Sequence, residues 1–490
     1  MSNLLLITAL LPVFGCVSVL LIPSHFKKLC FVIAFLTSCI TLEILLYLWT
    51  IFDNSTSYFQ FFASFNWFFN IFYTIGIDGI SLCFLILLAL LCPICILVSF
   101  NTVHKLLKEY LICFLLLESL LIQVFCVLDI IFFYIFFESV LIPMFLIIGI
   151  WGSRERKVRA AYQFFLYTLI GSLLLLVALI FLYFHAGTTD LQVLFYTTFT
   201  ETQQIILWLA FFSSFAVKIP MVPFHIWLPE AHAEAPTAGS VILAGILLKM
   251  GGYGFLRFSL PLFIDASIFF TPFIFCLSII ATLYASLTTL RQVDFKKAIA
   301  YSSVAHMSFV TLGIFSYNFQ AIEGSILLML GHGLVSSALF LSVGMLYDRY
   351  KTRIIKYYSG LVQIMPLHAT FFLFFIFASI AFPGTCNFIG EFLVLLGLFQ
   401  INSIVCIFAG SGMILSAGYS IWLYQRMFFG TWKEQYLPKL QDISRREFWI
   451  FIPLVVCILW LGFYPDLFFQ VLHSSVINLL EGFYKISPHI

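Results

Sequence analysis

The stretch FAVKIPMVPFHIWLPE, residues 215–230, places one lysine and three prolines inside an apolar run. Proline removes a backbone donor and interrupts a helix. Because interrupted backbone at membrane depth is tolerated only where protein or water satisfies it, the break beside Lys218 predicts a hydrated proton site. A lysine whose ammonium reaches out to the membrane interface is the alternative.

The composition around this stretch is that of a membrane protein. Of the 490 residues, 62% are hydrophobic and only 9% are charged, whereas soluble domains carry about 25% charged residues. The apolar runs are about 20 residues long and lack strict alternation, which favours helices over barrel strands. The predicted fold is therefore an all-α polytopic membrane protein.

The apolar runs predict about fourteen transmembrane helices. They cover residues 4–22, 29–51, 79–100, 110–128, 130–151, 162–185, 204–229, 238–259, 266–290, 297–317, 322–347, 361–400, 402–428 and 447–470. The twelfth run is too long for one crossing and contains Pro383-Gly384, so helices seven and twelve are both predicted to be broken.

Spans four to eight and nine to thirteen form two five-helix units, and an odd number of spans inverts one unit relative to the other. The predicted domains are three N-terminal helices in residues 1–109, a first five-helix repeat in 110–260 and a second in 261–430. Residues 431–490 hold an amphipathic loop and a C-terminal transmembrane helix.

Charge supports the span count. Of the 24 Lys and Arg, all but four fall in the loops after odd-numbered spans. Lys439 is one of those in the loops. By the positive-inside rule, this charge-rich side is cytoplasmic, or the matrix in a mitochondrion. The opposite side therefore holds at most two of the remaining four, Arg257 and Lys485. The other two, Lys218 and Lys249, are assigned to the membrane interior.

Two carboxylates accompany the membrane lysines. Glu138, near the middle of span five, is the predicted counter-charge of Lys218, because a Glu–Lys pair costs less in the membrane than either charge alone. The pair has a closed, ionised state and an open one. Lys249 is a second proton carrier or one half of a helix-locking ion pair. Glu118 is an auxiliary proton site or a helix lock, and both interpretations stay open.

Two histidines and a further acid extend this line. His306 and His332 lie on successive spans rich in Ser and Gly, which leave room for water, and a neutral imidazole can both accept and donate a proton. Glu391 follows the break at Pro383. These residue types in successive spans predict a proton relay.

A cluster of four ionisable residues follows the break in span seven. The cluster consists of His225, Glu230, His232 and Glu234. Its HAE triplet resembles the start of a zinc deaminase signature, but the required Pro-Cys-x-x-Cys is missing. We therefore predict a structured loop and no metal site. The sequence contains no nucleotide, haem or iron–sulfur motif, so any redox chemistry is expected on other subunits.

Five motifs of the chain are distinctive. They are FFESVLIPMFLIIGIWG (136–152), KIPMVPFHIWLPEAHAEAPTAGSVILAGILLKMGGYG (218–254), KKAIAYSSVAHMSF (296–309), GHGLVSSALF (331–340) and PGTCNFIGEF (383–392). Together they resemble the antiporter-like subunits of respiratory complex I, the NADH:ubiquinone oxidoreductase. The resemblance covers essentially the whole chain.

The resemblance implies the fourteen-helix fold with two inverted repeats. It also implies a proton path along a polar axis in mid-membrane. The family's residues on that axis match Glu138, Lys218, Lys249, His306, His332 and Glu391. Some relatives carry lysine at the last position. By the same resemblance, NADH, FMN, iron–sulfur clusters and ubiquinone are bound by other subunits, with no cofactor on this chain.

The predicted function is proton translocation coupled to remote electron transfer. Lys218, released from Glu138, loads Lys249, and the proton passes by His306, His332 and water to Glu391. The expected partners are other membrane-arm subunits of complex I, including neighbouring antiporter-like subunits, with lipids, protons and water, and no nucleic acid. The expected location is the mitochondrial inner membrane, with an organelle gene, or a bacterial plasma membrane. A multi-subunit cation/proton antiporter and a structural scaffold are the alternatives.

Overall fold

The computed structural model describes residues 2–68, 71–433, 436 and 441–486. Within these ranges the chain is helical apart from loops and one hairpin of strands β1 (Gln60–Phe68) and β2 (Ile71–Ile77). The helices are α1 Ser2–Leu21, α2 Lys27–Ile51, α3 Gly79–Thr102, α4 Leu107–Cys126, α5 Ile130–Ser139, α6 Leu141–Trp151, α7 Lys157–Ala186, α8 Leu191–Leu194, α9 Glu201–Lys218, α10 Trp227–Glu234, α11 Thr237–Ile242, α12 Leu248–Gly254, α13 Leu260–Leu262, α14 Ile264–Leu290, α15 Phe295–Ile314, α16 Phe319–Tyr350, α17 Leu361–Ile364, α18 Pro366–Ser379, α19 Cys386–Ile401, α20 Ser403–Phe428, α21 Arg445–Phe463 and α22 Asp466–Ile486.

The predicted all-α membrane class is confirmed. In the described residues, 11 helical segments are long and apolar enough to cross a membrane, and α18 and α19 are shorter apolar helices. Several predicted spans consist of more than one helix, so the count of fourteen stays a prediction. The division into inverted repeats also stays a prediction.

The two predicted breaks are present. In span seven, α9 ends at Lys218 and α10 begins at Trp227. In span twelve, α18 ends at Ser379 and α19 begins at Cys386, and Gly384 between them has a φ of +91°, which favours glycine. Both breaks therefore follow from the prolines and glycine that the sequence places there.

Three features differ from the prediction. Span five is divided at Val140 into α5 and α6. Predicted span fourteen, residues 447–470, is wrong at its end, because α21 stops at Phe463 and a separate helix, α22, starts at Asp466. The hairpin lies in residues that the sequence analysis left without an element.

Span eight is continuous but irregular. A π-helical turn, Leu243–Leu247, precedes α12, and a second one, Phe255–Ser259, follows it. π-turns shift the register of backbone hydrogen bonds and free carbonyl groups. An 18-residue stretch of this span, and one of α16, are entirely buried within the chain. Both helices therefore lie inside the bundle, away from lipid.

Several cations assigned to the charge-rich loops are buried. Arg353 is 0% exposed and pairs with Glu234 at 3.2 Å and with Asp294 at 3.7 Å. The Lys296 ammonium donates to the Ala235 carbonyl at 3.0 Å. These contacts attach the end of α10 to α15 and to the loop after α16. Lys439 and the side chain of Lys485 lie outside the described residues.

Candidate functional site

Lys249 is enclosed at the centre of the bundle. Its side chain is 0% exposed, and its ammonium donates to the Ala244 carbonyl at 2.5 Å and lies 2.8 Å from Nδ1 of His332. Ala244 belongs to the first π-turn, so the irregular backbone supplies the acceptor. No carboxylate of a described residue forms a salt bridge with Lys249, which argues against the helix-locking ion pair.

The polar line continues from His332 to Glu391. The rings of His332 and His306 have centroids 5.7 Å apart, and Nδ1 of His306 lies 3.0 Å from Oε1 of Glu391. All three side chains are at most 5% exposed. The spatial order is therefore Lys249, His332, His306, Glu391, whereas the predicted transfer order has His306 before His332 and stays a prediction.

Hydrogen-bonding rules restrict the protons on this line. A protonated lysine only donates, so when Lys249 carries its proton, Nδ1 of His332 accepts from it and the ring holds its own proton on Nε2. His306 and Glu391 share a single hydrogen bond, in which one proton belongs either to the imidazole or to the carboxyl group. Each member of the line thus has a form that gives a proton and a form that takes one.

Small residues bring the helices of this line together. Gly390 packs against the backbone of Leu328, and a Cβ at Gly390 would lie 2.9 Å from it. Gly331, next to His332, packs equally closely against Asn387 and Cys386. These contacts between α16 and α19 place Glu391 within reach of α15 and its histidine.

Glu138 and Lys218 attract each other electrostatically but do not touch. No salt bridge joins them in the described part of the chain, so the closed pair is not the arrangement present. The Lys218 ammonium instead lies 4.6 Å from the centroid of the Phe137 ring. Lys218 is 2% exposed, and both Glu138 carboxylate oxygens are buried. The two groups are therefore close enough to attract each other without a direct contact.

Between Lys218 and Lys249, the structure shows packing of their helices and no polar link among the described residues. A Cβ on Gly251, two residues after Lys249, would lie 2.7 Å from the Ile219 side chain, next to Lys218. Within the described residues, no hydrogen bond joins Lys218 to Lys249. Transfer between them therefore needs water or a side-chain movement.

Glu118 has a simpler environment. It is 1% exposed, and its Oε1 lies 2.6 Å from the Thr41 hydroxyl, which is also 2.8 Å from the Ser38 carbonyl. No cation pairs with it among the described residues. The Thr41 hydroxyl donates to Oε1 of Glu118, and this bond joins α2 to α4. This geometry favours the helix-lock interpretation.

The cluster after the break in span seven is ordered, but the predicted loop is wrong for most of it, because Glu230, His232 and Glu234 lie in helix α10. Glu230 pairs with Lys297 at 2.5 Å, and Glu234 pairs with Arg353. His232 is 0% exposed and stacks on Phe340, with ring centroids 4.6 Å apart. No three potential ligands converge on a metal site within the residues that the structure describes.

Sequence reasoning missed a buried ion pair in span eight. Arg257, assigned to the membrane surface, pairs with Asp78 at 2.5 Å and donates to the Tyr253 hydroxyl at 3.2 Å. Burial raises the pKa of Asp78, but attraction to Arg257 and hydrogen bonds from Arg257 and Ser81 hold it below its usual value. An arginine eight residues after Lys249 on one buried helix was the available signal.

Comparison with known proteins agrees with this geometry. Residues 128–416 match the model of the NADH:quinone oxidoreductase/Mrp antiporter transmembrane family. The chain belongs to this family. NADH-ubiquinone oxidoreductase chain 4 of Chondrus crispus is 67% identical over 481 residues, with 98% of each chain covered. The chain 4 protein of Marchantia polymorpha is 60% identical over 474 residues, 96% of each.

Two solved structures have the same fold as this chain. A chain of respiratory complex I from Thermus thermophilus has a TM-score of 0.89 and 29% identity, covering 98% of this chain and 99% of its own. A chain of the Mrp complex from Dietzia has a TM-score of 0.87 over 99% of this chain and 98% of its own, but at 18% identity the likeness concerns the fold alone. The expected resemblance to complex I subunits is confirmed.

Proposed function

We propose that Lys249, His332, His306 and Glu391 conduct protons through this chain, in that order. The chain is a proton-translocating membrane subunit of NADH:ubiquinone oxidoreductase, and the proposal assigns the route. It rests on one observation above all, a line of four buried ionisable side chains that are joined by contacts of 2.8 and 3.0 Å at its two ends.

Glu138 and Lys218 are the proposed switch. When a charge change from a neighbouring subunit closes the pair, Glu138 holds the proton on Lys218; when the pair opens, Lys218 passes its proton towards Lys249. Each proton moved against 100 mV costs about 2.3 kcal/mol. Rearrangement of a buried ion pair involves free energies of that order.

The proposal extends to the surroundings of the chain. We place the chain in the mitochondrial inner membrane, encoded in the organelle, beside other antiporter-like subunits and lipids. NADH, FMN, the iron–sulfur clusters and ubiquinone belong to other subunits. The predicted repeats, residues 110–260 and 261–430, would carry the switch with Lys249 and the histidine–glutamate end of the route, respectively.

The test uses membranes that contain the intact complex with Lys218→Met or Glu138→Gln. Native gels establish the amount of assembled complex, and NADH oxidation and proton uptake are followed together. We expect both activities to fall at least tenfold per assembled complex. Pumping at the wild-type rate, or a loss explained entirely by poor assembly, would contradict the switch.

A cation/proton antiporter subunit is the second candidate, because the Dietzia Mrp chain has the same fold. Such a subunit would exchange sodium for protons without NADH oxidation. Sodium-dependent proton movement in vesicles that receive no NADH would favour it. Its absence, together with NADH-dependent pumping, favours the complex I assignment.

A further inference from the structure

The outward face of α2 carries a carboxylate that the sequence analysis did not single out. Glu43 is exposed, whereas Thr41 and Leu45 are 0% exposed on the opposite face. Packing fixes this orientation, because the inward face is occupied by a continuous set of buried residues. These are Cys30, Ala34, Ser38, Thr41, Leu45 and Leu48.

Glu43 lies well within the membrane. It precedes Ile51, the last residue of α2, by eight residues, or about 12 Å at 1.5 Å per residue. The 25-residue helix is about 38 Å long and exceeds a hydrocarbon core of about 30 Å. With the helix centred, Glu43 lies about 8 Å inside the apolar layer. Its two methylenes are too few to reach out as Lys and Arg do.

The other membrane acids of this chain are sheltered. Glu43 is exposed and lies more than two turns from either end of its helix. Among the described spans, no other exposed carboxylate lies so far from a helix end. Glu118 and Glu391, by contrast, are each 1% exposed. Glu43 has no hydrogen bond or salt bridge to any described residue. Ionisable groups inside membranes face protein or water, so an outward Glu43 indicates a missing neighbour.

We infer that this face of α2 binds a membrane-spanning helix of another subunit that presents a lysine or arginine to Glu43. Charge complementarity selects this partner, because a cation is what an unpaired membrane carboxylate requires. Around Glu43 the exposed residues follow the three- and four-residue spacing by which two helices interlock. They are Leu29, Val32, Leu36, Ile40 and Tyr47.

Carboxyl labelling tests the inference on the wild-type complex. Dicyclohexylcarbodiimide dissolves in lipid and modifies carboxyl groups that lipid can reach. We expect little modification of Glu43 in intact membranes and at least tenfold more after detergent has separated the membrane subunits, as measured by peptide mass spectrometry. Equal modification before and after separation would show that Glu43 faces lipid and would overturn the proposal.

Variants test the charge. Glu43→Leu should lower the yield of assembled complex on native gels, and Glu43→Lys should lower it further, since it opposes the partner's cation. Ile40→Leu, on the same face, is the matched control and should assemble as the wild type does. A lipid-facing leucine is favourable. Assembly of Glu43→Leu at or above the wild-type level would therefore mean that no cation answers Glu43.

Discussion

At the scale of single residues, the chemistry of Lys249 depends on contacts that sequence does not reveal. A lysine in an apolar run is visible in the sequence, and so are His332 and Glu391. Their proximity is not, because Lys249 and His332 are 83 positions apart and apolar periodicity carries no information about distant partners. The position of the Lys218 ammonium over the Phe137 ring was equally unpredictable, since it depends on side-chain rotamers.

Lys249→Arg should keep the positive charge and block proton transfer to His332. Arginine stays protonated at all relevant pH values, so it cannot give up a proton to His332. We expect assembled complex on native gels and at least a tenfold loss of proton uptake coupled to NADH oxidation. Lys297→Arg, in the partly exposed pair with Glu230, is the control and should leave both activities unchanged. Normal pumping by Lys249→Arg would remove Lys249 from the route.

Glu118→Gln separates the two interpretations of Glu118. The amide oxygen of a glutamine accepts from the Thr41 hydroxyl as the Glu118 oxygen does, so a helix lock survives the change. We expect assembly and proton pumping within about twofold of the wild type, with Glu118→Ala assembling less well because a buried hydroxyl loses its partner. A strong loss of pumping by an assembled Glu118→Gln complex would instead make Glu118 an auxiliary proton site.

At the scale of elements, local chemistry predicted the breaks but not the finer irregularities. Pro220, Pro223 and Pro383 indicate interrupted helices because proline acts within its own turn. The π-turns around α12 have no such local signature. The hairpin was missed because its aromatic sequence, QFFASFNWF at 60–68, lies between two stronger apolar runs.

Gly390→Ala tests the close approach of α16 and α19. The added Cβ would lie 2.9 Å from the Leu328 backbone, and overpacking of this kind costs about 1–3 kcal/mol. We expect the complex to dissociate at a lower temperature on native gels, with reduced pumping because Glu391 moves with α19. Gly410→Ala, on α20 with nothing within 4 Å of its Cβ, should be neutral or slightly stabilising. Equal behaviour of the two variants would contradict this packing.

At the scale of the whole molecule, the charge asymmetry found in the sequence orders the loops but does not tell which charges are buried. Lys296 and Arg353 are among the cations assigned to the charge-rich side, yet they are at most 1% exposed. The positive-inside rule counts charges near the ends of spans. It is insensitive to the tertiary contacts, such as that between Arg353 and Glu234, that cover them.

Arg257→Leu should destabilise the helix bundle, because it removes the buried ion pair with Asp78. It leaves the Asp78 carboxylate, 5% exposed, without its cation, and an unpaired buried charge costs about 3–5 kcal/mol. We expect little assembled complex. Combining Arg257→Leu with Asp78→Asn removes the charge and should restore part of the yield on native gels. If the double variant assembles no better than the single one, the ion pair does not account for the loss.

The length of α16 has a consequence for which part of the machinery moves. Its 32 residues span about 48 Å. The Asn318 side chain caps one end, and two hydrogen bonds from Arg349 to Glu447, of 2.9 and 2.6 Å, fasten the other end to α21. Because both ends of α16 are held, we expect His332 to keep its depth in the membrane during turnover. The flexible four-carbon side chain of Lys249 is then the part of this contact that moves.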